Sequence, residues 1–195
     1  MKRIKLGITG PPGSGKTTLA KYFQEKGAAV ISLDELGREI TLRKLEEVGK
    51  ALGIDLKDQP VEIQRKLIGK RAFSDVNKLK KLGEIVHPEL KEEALRRLRE
   101  AEGELTVVEG ALLFELGLHE HVDRVITVIA PEELLLRRFL EKSGYDEKAF
   151  RVILSYQWPQ EWKGLSSDFV INNTGDLSSL RERAFKILER LRQDP

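Results

Sequence analysis

Short apolar runs alternate with amphipathic segments along much of the chain. Five runs have the length and composition of buried β-strands, at residues 4–9, 28–33, 105–110, 124–130 and 168–172. Helical patterns follow the first strand as far as Gly27, open at Pro131 and close the chain over about residues 177–192. Because apolar strands separated by helices are buried on both faces, this pattern predicts an α/β fold with a five-stranded parallel sheet and helices on both faces.

Two segments interrupt this alternation. Residues 35–103 contain no convincing strand and instead repeat apolar residues at helical spacing, as in Leu90, Ala94 and Leu98. Residues 143–166 are polar but contain several aromatic side chains. We therefore predict a core made of residues 1–34, 104–142 and 167–195, with a helical insert at 35–103 and a separate segment at 143–166.

The composition indicates a globular chain with one main core. Of the 195 residues, 40% are apolar and 34% are charged, the formal net charge is +2, and cysteine is absent. No apolar run approaches the roughly 20 residues that span a bilayer, and the first residues lack the features of a signal peptide. Basic and acidic residues alternate instead of forming one-sign blocks, which argues against nucleic-acid binding. We expect a cytoplasmic protein without membrane or nucleic-acid partners.

The first predicted strand is followed directly by the sequence GPPGSGKTT. Its spacing fits the motif G-x-x-x-x-G-K-[ST], and the strand before it and the helix after it complete the required context. In such a loop, backbone N–H groups bind phosphate, the lysine contacts the β- and γ-phosphates, and the Ser/Thr hydroxyl binds Mg²⁺. We expect this phosphate loop (residues 10–18) to bind a nucleoside triphosphate and Mg²⁺ through Gly10, Pro11, Pro12, Gly13, Ser14, Gly15, Lys16, Thr17 and Thr18.

Acidic residues end two of the other predicted strands, and ligands of doubly wound sheets lie beyond the carboxyl ends of the strands. Asp34 ends the second strand, where it would either face the γ-phosphate as a general base or cap a helix starting at Glu35. Arg38, one turn further, would either pair with Asp34 or hold a substrate phosphate. Glu109 ends the third strand and would hold Mg²⁺, directly or through water.

The remaining features favour a small-molecule kinase. The sequence DELG at 34–37 lies too near the phosphate loop for a GTPase motif, and no guanine-binding N-K-x-D follows. The insert would bind the phosphoryl acceptor, and residues 143–166 would form a lid that excludes water. On these residues alone, a nucleoside or nucleotide kinase, another small-molecule kinase and a nucleotide-binding regulatory module all stay open.

Several further stretches resemble the dephospho-coenzyme A (dephospho-CoA) kinase family. They are VISLDELGR at 30–38, IVHPEL at 85–90, EGALLFE at 109–115, APEELLLRRFLEKSG at 130–144, QWPQEWK at 157–163 and SDFVINNTGDL at 167–177. The resemblance covers nearly the whole chain. Many nucleotide-binding proteins share the phosphate loop, whereas the last two stretches together are far more specific.

The resemblance implies a P-loop NTPase-type core that transfers a phosphoryl group from ATP to the ribose 3′-hydroxyl of dephospho-CoA, with Mg²⁺ as cofactor. We then expect a small-molecule substrate and a monomer or weak oligomer. The residues carried over are Lys16, Asp34, Arg138 and Lys142 for catalysis, Asp34, Arg38, His87 and Leu112 for the acceptor, and Asn173 and Gly175 beside the adenine of ATP.

Several positions depart from the pattern of that family, among them Ala111, where it often has proline. Ser32 stands where the family has the first of two aspartates, and Asn172 stands where it often has an aspartate. Ile153 occupies a lid position that commonly carries arginine, and Arg151 lies two residues earlier. We therefore expect Lys142 to contact the transferred phosphate, with Arg151 as the second candidate.

Overall fold

Strands from five parts of the chain form one parallel sheet. The computed structural model describes residues 3–193, so residues 1, 2, 194 and 195 of the predicted core lie outside the described residues. The strand order is β2-β3-β1-β4-β5, which puts β1 at the centre and the carboxyl ends of all strands at one edge. This arrangement confirms the predicted fold class. The strands are Ile4–Thr9 (β1), Ala29–Ser32 (β2), Leu105–Glu109 (β3), Arg124–Ile129 (β4) and Phe169–Asn172 (β5).

Within the described residues, nine α-helices connect and flank these strands. Between residues 35 and 103 the described chain is helical and has no strand, as the apolar spacing predicts. No helix in residues 3–193 is both long and apolar enough to cross a membrane. The helices are Lys16–Glu25 (α1), Leu33–Arg43 (α2), Leu45–Leu52 (α3), Val61–Ala72 (α4), Val76–Glu100 (α5), Glu132–Ser143 (α6), Glu147–Tyr156 (α7), Gln160–Leu165 (α8) and Leu177–Gln193 (α9), with a short 3-10 helix at Leu118–His121.

The sheet separates two large apolar clusters. On one face α1 and α9 cover the strands, and Phe23 is fully buried there. On the other face α2 and α5 pack on the sheet around Ile40. Because successive side chains of a strand point to opposite faces, Val107 of β3 belongs to the first cluster and Val108 to the second. Helices therefore lie on both faces, as the near-continuous apolar strands predict.

Two smaller clusters lie outside the sheet. Helices α3 and α4 of the insert share an apolar centre with the residue Leu56 between them. Helices α6 and α7 meet around Phe139 and Phe150. The first helix of the segment 143–166 thus packs on α6, while the insert has an apolar centre of its own.

Helix α2 begins earlier than the sequence predicts. Strand β2 ends at Ser32, not at Asp34, and the Ser32 hydroxyl accepts a hydrogen bond from the backbone N–H of Glu35 at 3.4 Å. The prediction of Asp34 as the helix cap is therefore wrong, because Ser32 has the extended backbone and the short acceptor side chain that an N-cap needs. Asp34 instead lies in the first turn of α2, where a negative charge is favourable.

Candidate active site

The phosphate loop owes its shape to three glycines with positive φ. The φ angles of Gly10, Gly13 and Gly15 are 146°, 80° and 99°, in a region that other L-residues rarely adopt. Space is also restricted: a Cβ on Gly13 would overlap the backbone carbonyl of Leu135, and one on Gly10 would overlap that of Val128. The loop is thus packed against the backbone of β4 and α6 and leads directly into α1.

Polar side chains of the loop are buried but not all are paired. Asn173, just beyond β5, donates from Nδ2 to the carbonyl oxygen of Ser14 at 2.7 Å. The Ser14 hydroxyl is buried and has no hydrogen-bond partner within the described chain, and Lys16 is only 8% exposed. Buried polar atoms are nearly always satisfied. An unpaired hydroxyl beside a buried cation and the first turn of α1 therefore fits a loop that receives an anionic ligand.

Glu109 lies next to this loop and is held by two hydroxyl groups. Ser32 Oγ donates to its Oε1 at 2.9 Å, and Thr17 Oγ1 donates to its Oε2 at 3.3 Å. Glu109 is 2% exposed. Burial raises the pKa of Glu109, and the charge of Asp34 raises it further, while Lys16 and the two hydroxyls lower it. The chain therefore brings Lys16, Thr17, Asp34 and Glu109 into one electrostatic neighbourhood.

The oxygen atoms around Glu109 suit a hard divalent cation. A carboxylate and two hydroxyls are the donor types that Mg²⁺ prefers, and Mg²⁺ normally keeps other ligands from water and phosphate. No cluster of three or more His, Cys, Asp or Glu side chains that could hold a metal occurs in residues 3–193. Thr17 and Glu109 could thus hold Mg²⁺ only together with the nucleotide and water.

The basic residues predicted near the phosphates lie in different environments. Arg138 donates to the carbonyl oxygens of Asn173 and Gly175, at 3.0 and 3.4 Å, and so fixes the loop beyond β5. Lys142, in the last turn of α6, is exposed, and no partner for it is found within the described residues. Arg151 is ion-paired with Glu147 at 2.6 Å, and its pKa is raised chiefly by the hydrogen bond to that carboxylate. Of the two candidates for contact with the transferred phosphate, only Arg151 has an ion-pair partner within the described residues.

The predicted acceptor residues lie on the insert and beyond β3. Arg38 is exposed on α2, and no ion pair with Asp34 forms within the described chain, so the simple pairing of the two is not supported. His87 is half-buried in α5, with its ring 5.9 Å from that of Tyr156, and burial lowers its pKa. Leu112, three residues beyond Glu109, packs against the cluster under α2 and α5.

Sequence reasoning missed two features of this region. The hydrogen bond from Ser32 to Glu109 could not be predicted, because in the sequence the serine is only a departure from the family pattern. The burial of Lys163, which is 1% exposed, was missed as well, since the surrounding residues QWPQEWK are mostly polar. The resemblance of this stretch to the family pattern was the one indication that Lys163 has a role.

Comparisons with known proteins agree on one family. The family model for dephospho-CoA kinase matches residues 4–179. A dephospho-CoA kinase of Aquifex aeolicus is 36% identical and is covered completely, as is this chain. One of Syntrophotalea carbinolica is 35% identical over 96% of this chain and 92% of its own.

Solved structures share the fold, and one of them is a dephospho-CoA kinase. A Thermus thermophilus protein of 31% identity superposes with a TM-score of 0.75, covering 98% of this chain and 99% of its own. The dephospho-CoA kinase of Campylobacter jejuni superposes with a TM-score of 0.66 at 26% identity, covering 96% of each chain. A shikimate kinase of Acinetobacter baumannii, at 16% identity and a TM-score of 0.52 over 98% and 94% of the two chains, shares the fold.

Proposed function

The chain belongs to the dephospho-CoA kinase family, and we propose that its phosphate loop and Asp34 carry out the reaction of that family. In this reaction the γ-phosphoryl group of ATP moves to the ribose 3′-hydroxyl of dephospho-CoA, giving CoA and ADP. The family match favours this activity over the other kinases and the regulatory module that the residues alone left open. The protein is thus a transferase of CoA biosynthesis.

One observation supports the roles of the residues above all others. Buried Glu109 accepts hydrogen bonds from Thr17, which follows Lys16, and from Ser32, two residues before Asp34, so the phosphate loop and the start of α2 meet at one carboxylate. A hydroxyl group bound at Asp34 would then lie beside the phosphates held by the loop. Phosphoryl transfer depends mainly on this kind of positioning and on neutralisation of charge.

The chemistry assigns one task to each side chain. Asp34 accepts the proton of the 3′-hydroxyl as that oxygen bonds to the γ-phosphorus, and the bond from phosphorus to the bridging oxygen breaks with its electron pair leaving on ADP. Lys16 donates to the β- and γ-phosphate oxygens. Thr17 and Glu109 would hold Mg²⁺, Glu109 directly or through water. When bound, Mg²⁺ supplies further positive charge to those oxygens.

The loop beyond β5 and the basic residues of α6 complete the nucleotide side. Asn173 and Gly175 would flank the adenine, and the two hydrogen bonds from Arg138 support this role because they fix the loop backbone. Lys142 would contact the transferred phosphate when the part of the predicted lid that precedes α8 closes, since α8 itself is hydrogen-bonded to β4. The exposure of Lys142 and its lack of a partner in the described chain support that assignment over Arg151.

The acceptor would bind between the insert and the segment beyond β3. Arg38, His87 and Leu112 are the candidate contacts: Arg38 lies one turn beyond Asp34 on α2, His87 lies on α5, which packs against α2, and Leu112 packs against the cluster between these helices and the sheet. We keep a cytoplasmic location, a small-molecule substrate only, and a monomer or weak oligomer as predictions, and light scattering of the purified protein tests the last of them.

The decisive experiment measures ADP release with dephospho-CoA, AMP or adenosine as acceptor. Wild type should prefer dephospho-CoA by at least about 10²-fold in kcat/KM, or roughly 2.7 kcal/mol. Asp34→Asn keeps the shape of the side chain but cannot accept the proton, so its turnover should fall by about 10²–10⁴-fold. The affinity for ATP should change little.

A neighbouring carboxylate provides the matched control. Glu35 is exposed in the same first turn of α2, so Glu35→Gln removes an equal charge without touching the proposed base, and its turnover should stay near that of wild type. A loss of less than about tenfold in Asp34→Asn, or an equal loss in both variants, would contradict the role of Asp34. Equal rates with AMP or adenosine would contradict the acceptor.

A further inference from the structure

Lys163 is a buried cation that the mechanism above does not use. It lies in α8 and is 1% exposed, although lysine is almost never fully buried without a partner. Its ammonium group donates to the carbonyl oxygen of Ala111 and forms an ion pair with Glu115 Oε1 at 2.9 Å. Both partners belong to the 110–115 segment, which directly follows Glu109. The buried lysine therefore joins the predicted lid segment to the chain beyond β3.

The carbonyl group of Ala111 is a junction of three parts of the active site. Besides Lys163, the hydroxyl of Thr9 donates to it at 3.3 Å. Thr9 is the last residue of β1, immediately before the phosphate loop. One carbonyl thus links the end of β1, the chain beyond β3 and helix α8.

The other end of Lys163 is fixed to the sheet. Its own carbonyl oxygen accepts hydrogen bonds from Thr127 of β4 at 3.2 Å and from Ser167 at 2.7 Å. Glu115 also accepts from the backbone N–H of Trp158 at 2.7 Å. The ammonium group has little freedom to move, because backbone and side chain are both held.

The hydrogen bond to Ala111, two residues beyond β3, places this ammonium group at the carboxyl edge of the sheet, which the phosphate loop also follows. Burial lowers the pKa of Lys163 most strongly, and repulsion from Lys16 lowers it further, while Glu115 raises it. The two lysines are thus close enough to act on one another.

We propose that Lys163 is a positioning residue for the acceptor: through the carbonyl group of Ala111 it fixes the 110–115 segment, and with it Leu112, relative to Glu109 and Asp34. This role rests on the proposed function, since it concerns the same acceptor. Glu115 balances the buried charge of Lys163, whereas the hydrogen bond to Ala111 positions the backbone of the 110–115 segment. The two contacts of the ammonium group therefore have separable consequences.

One single variant and one double variant separate the effects of the ion pair with Glu115 from those of the hydrogen bond to Ala111. Lys163→Met leaves Glu115 buried without its partner and should lower the thermal midpoint, because breaking one side of a buried pair is strongly destabilising. Lys163→Met with Glu115→Gln removes both charges, and the new amide oxygen can still accept from the backbone N–H of Trp158, so the midpoint should largely recover. The activity should not recover, because neither variant restores the bond to Ala111.

The kinetic readout distinguishes positioning from stability. In the double variant we expect kcat/KM for dephospho-CoA to remain at least about tenfold below wild type, with KM for that substrate raised and KM for ATP within about twofold. The exposed pair Lys186–Glu182, 2.6 Å apart, provides the matched control. Lys186→Met with Glu182→Gln should change neither the midpoint nor the kinetics.

Two results would overturn the inference. Full recovery of kcat/KM in the double variant would make Lys163 a structural ion pair only. If KM for ATP rises as much as KM for dephospho-CoA, Lys163 affects nucleotide binding and does not act on the acceptor alone. If wild type itself shows no turnover that depends on dephospho-CoA, the proposed function fails instead, so the two failures are distinguishable.

Discussion

The phosphate-loop core buries polar side chains, whereas the helical insert buries none within the described chain. All eight buried polar or charged residues lie outside 35–103, and most of them surround the phosphate loop or the chain beyond β3. The insert instead has a small apolar centre and exposes several large apolar side chains of α4 and α5. The eight residues are Thr9, Ser14, Lys16, Thr106, Glu109, Thr127, Lys163 and Asn173.

The two regions also position their contacts by different means. Around the phosphate loop, backbone lies against backbone, and glycine is needed because a Cβ would meet a carbonyl group. Between the insert and the segment 143–166, side chains lie against glycine: the hydroxyl of Tyr145, just before α7, reaches Gly69, and that of Tyr156, at the end of α7, reaches Gly83. Backbone contacts leave little freedom, while tyrosine side chains can move with the segment that carries them. The nucleotide side should therefore be rigid and the acceptor side adjustable.

Gly13→Ala tests the rigid region and should have the largest effect. The new methyl group would meet the backbone of Leu135 at a positive φ of 80°, where an L-residue costs about 1–2 kcal/mol before any overlap. We expect the thermal midpoint to fall and the dissociation constant for ATP, measured by calorimetry, to rise at least tenfold, or about 1.4 kcal/mol.

Gly27→Ala is the matched control for this change. Gly27 also has a positive φ, of 94°, but a Cβ there would meet no atom within 4 Å. Its substitution should cost about 1–2 kcal/mol of stability and leave ATP binding unchanged. Equal effects of the two variants on ATP affinity would show that backbone packing does not shape the nucleotide site.

Gly83→Ala tests the adjustable region and should have an intermediate effect. Alanine inside a helix usually stabilises by about 0.5–1 kcal/mol relative to glycine, but here the methyl group would displace the Tyr156 hydroxyl and the ring of His87. We expect no stability gain and a severalfold higher KM for dephospho-CoA, with KM for ATP unchanged.

Two further variants check this interpretation. Gly37→Ala in α2, where a Cβ would meet only Leu90 Cδ2 at 3.9 Å, should show the full helical gain. Adding Tyr156→Phe to Gly83→Ala removes the displaced hydroxyl and should restore part of the acceptor affinity. If Gly83→Ala stabilises as much as Gly37→Ala and leaves KM unchanged, the contact between α7 and the insert has no role in acceptor binding.

The pH dependence of stability gives the smallest expected effect. Burial lowers the pKa of His87 below the usual 6.5, although the charge of Glu115 opposes this shift. Below pH 6.5 His87 of the unfolded chain therefore binds a proton, while His87 of the folded chain is still neutral. The contribution of His87 to the free energy of unfolding is fully present above that pH and is lost as the pH falls towards the pKa of the folded state. In urea unfolding, His87→Gln should lose less stability than wild type between pH 7.5 and 5.5.

Exposed His121 supplies the comparison for this measurement. His121→Gln should follow the wild-type curve over the same pH range. A wild-type curve that coincides with that of His87→Gln would mean that burial beside Tyr156 does not lower the pKa of His87.

Local patterns predicted most of the fold and the phosphate loop. Apolar runs gave all five strands, and the spacing of Gly10, Gly15, Lys16 and Thr17 gave the loop, because strand burial and loop shape each depend on residues close together in the chain. The catalytic role of Asp34 stays a prediction, and its predicted role as the helix cap was wrong, because Ser32 occupies the N-cap position and its hydroxyl accepts from the backbone N–H of Glu35.

By itself the sequence determined the strands, the phosphate loop and the family, because each is carried by local periodicity or by motifs of fixed spacing. Only the tertiary structure decided that Ser32, 77 residues from Glu109, would hold that carboxylate, and that Lys163 would reach Ala111 across 52 residues. Such contacts depend on the order β2-β3-β1-β4-β5 and on where α8 packs. The sequence around a polar residue does not show whether its side chain faces water or a buried partner, because elements far away in the chain determine its burial.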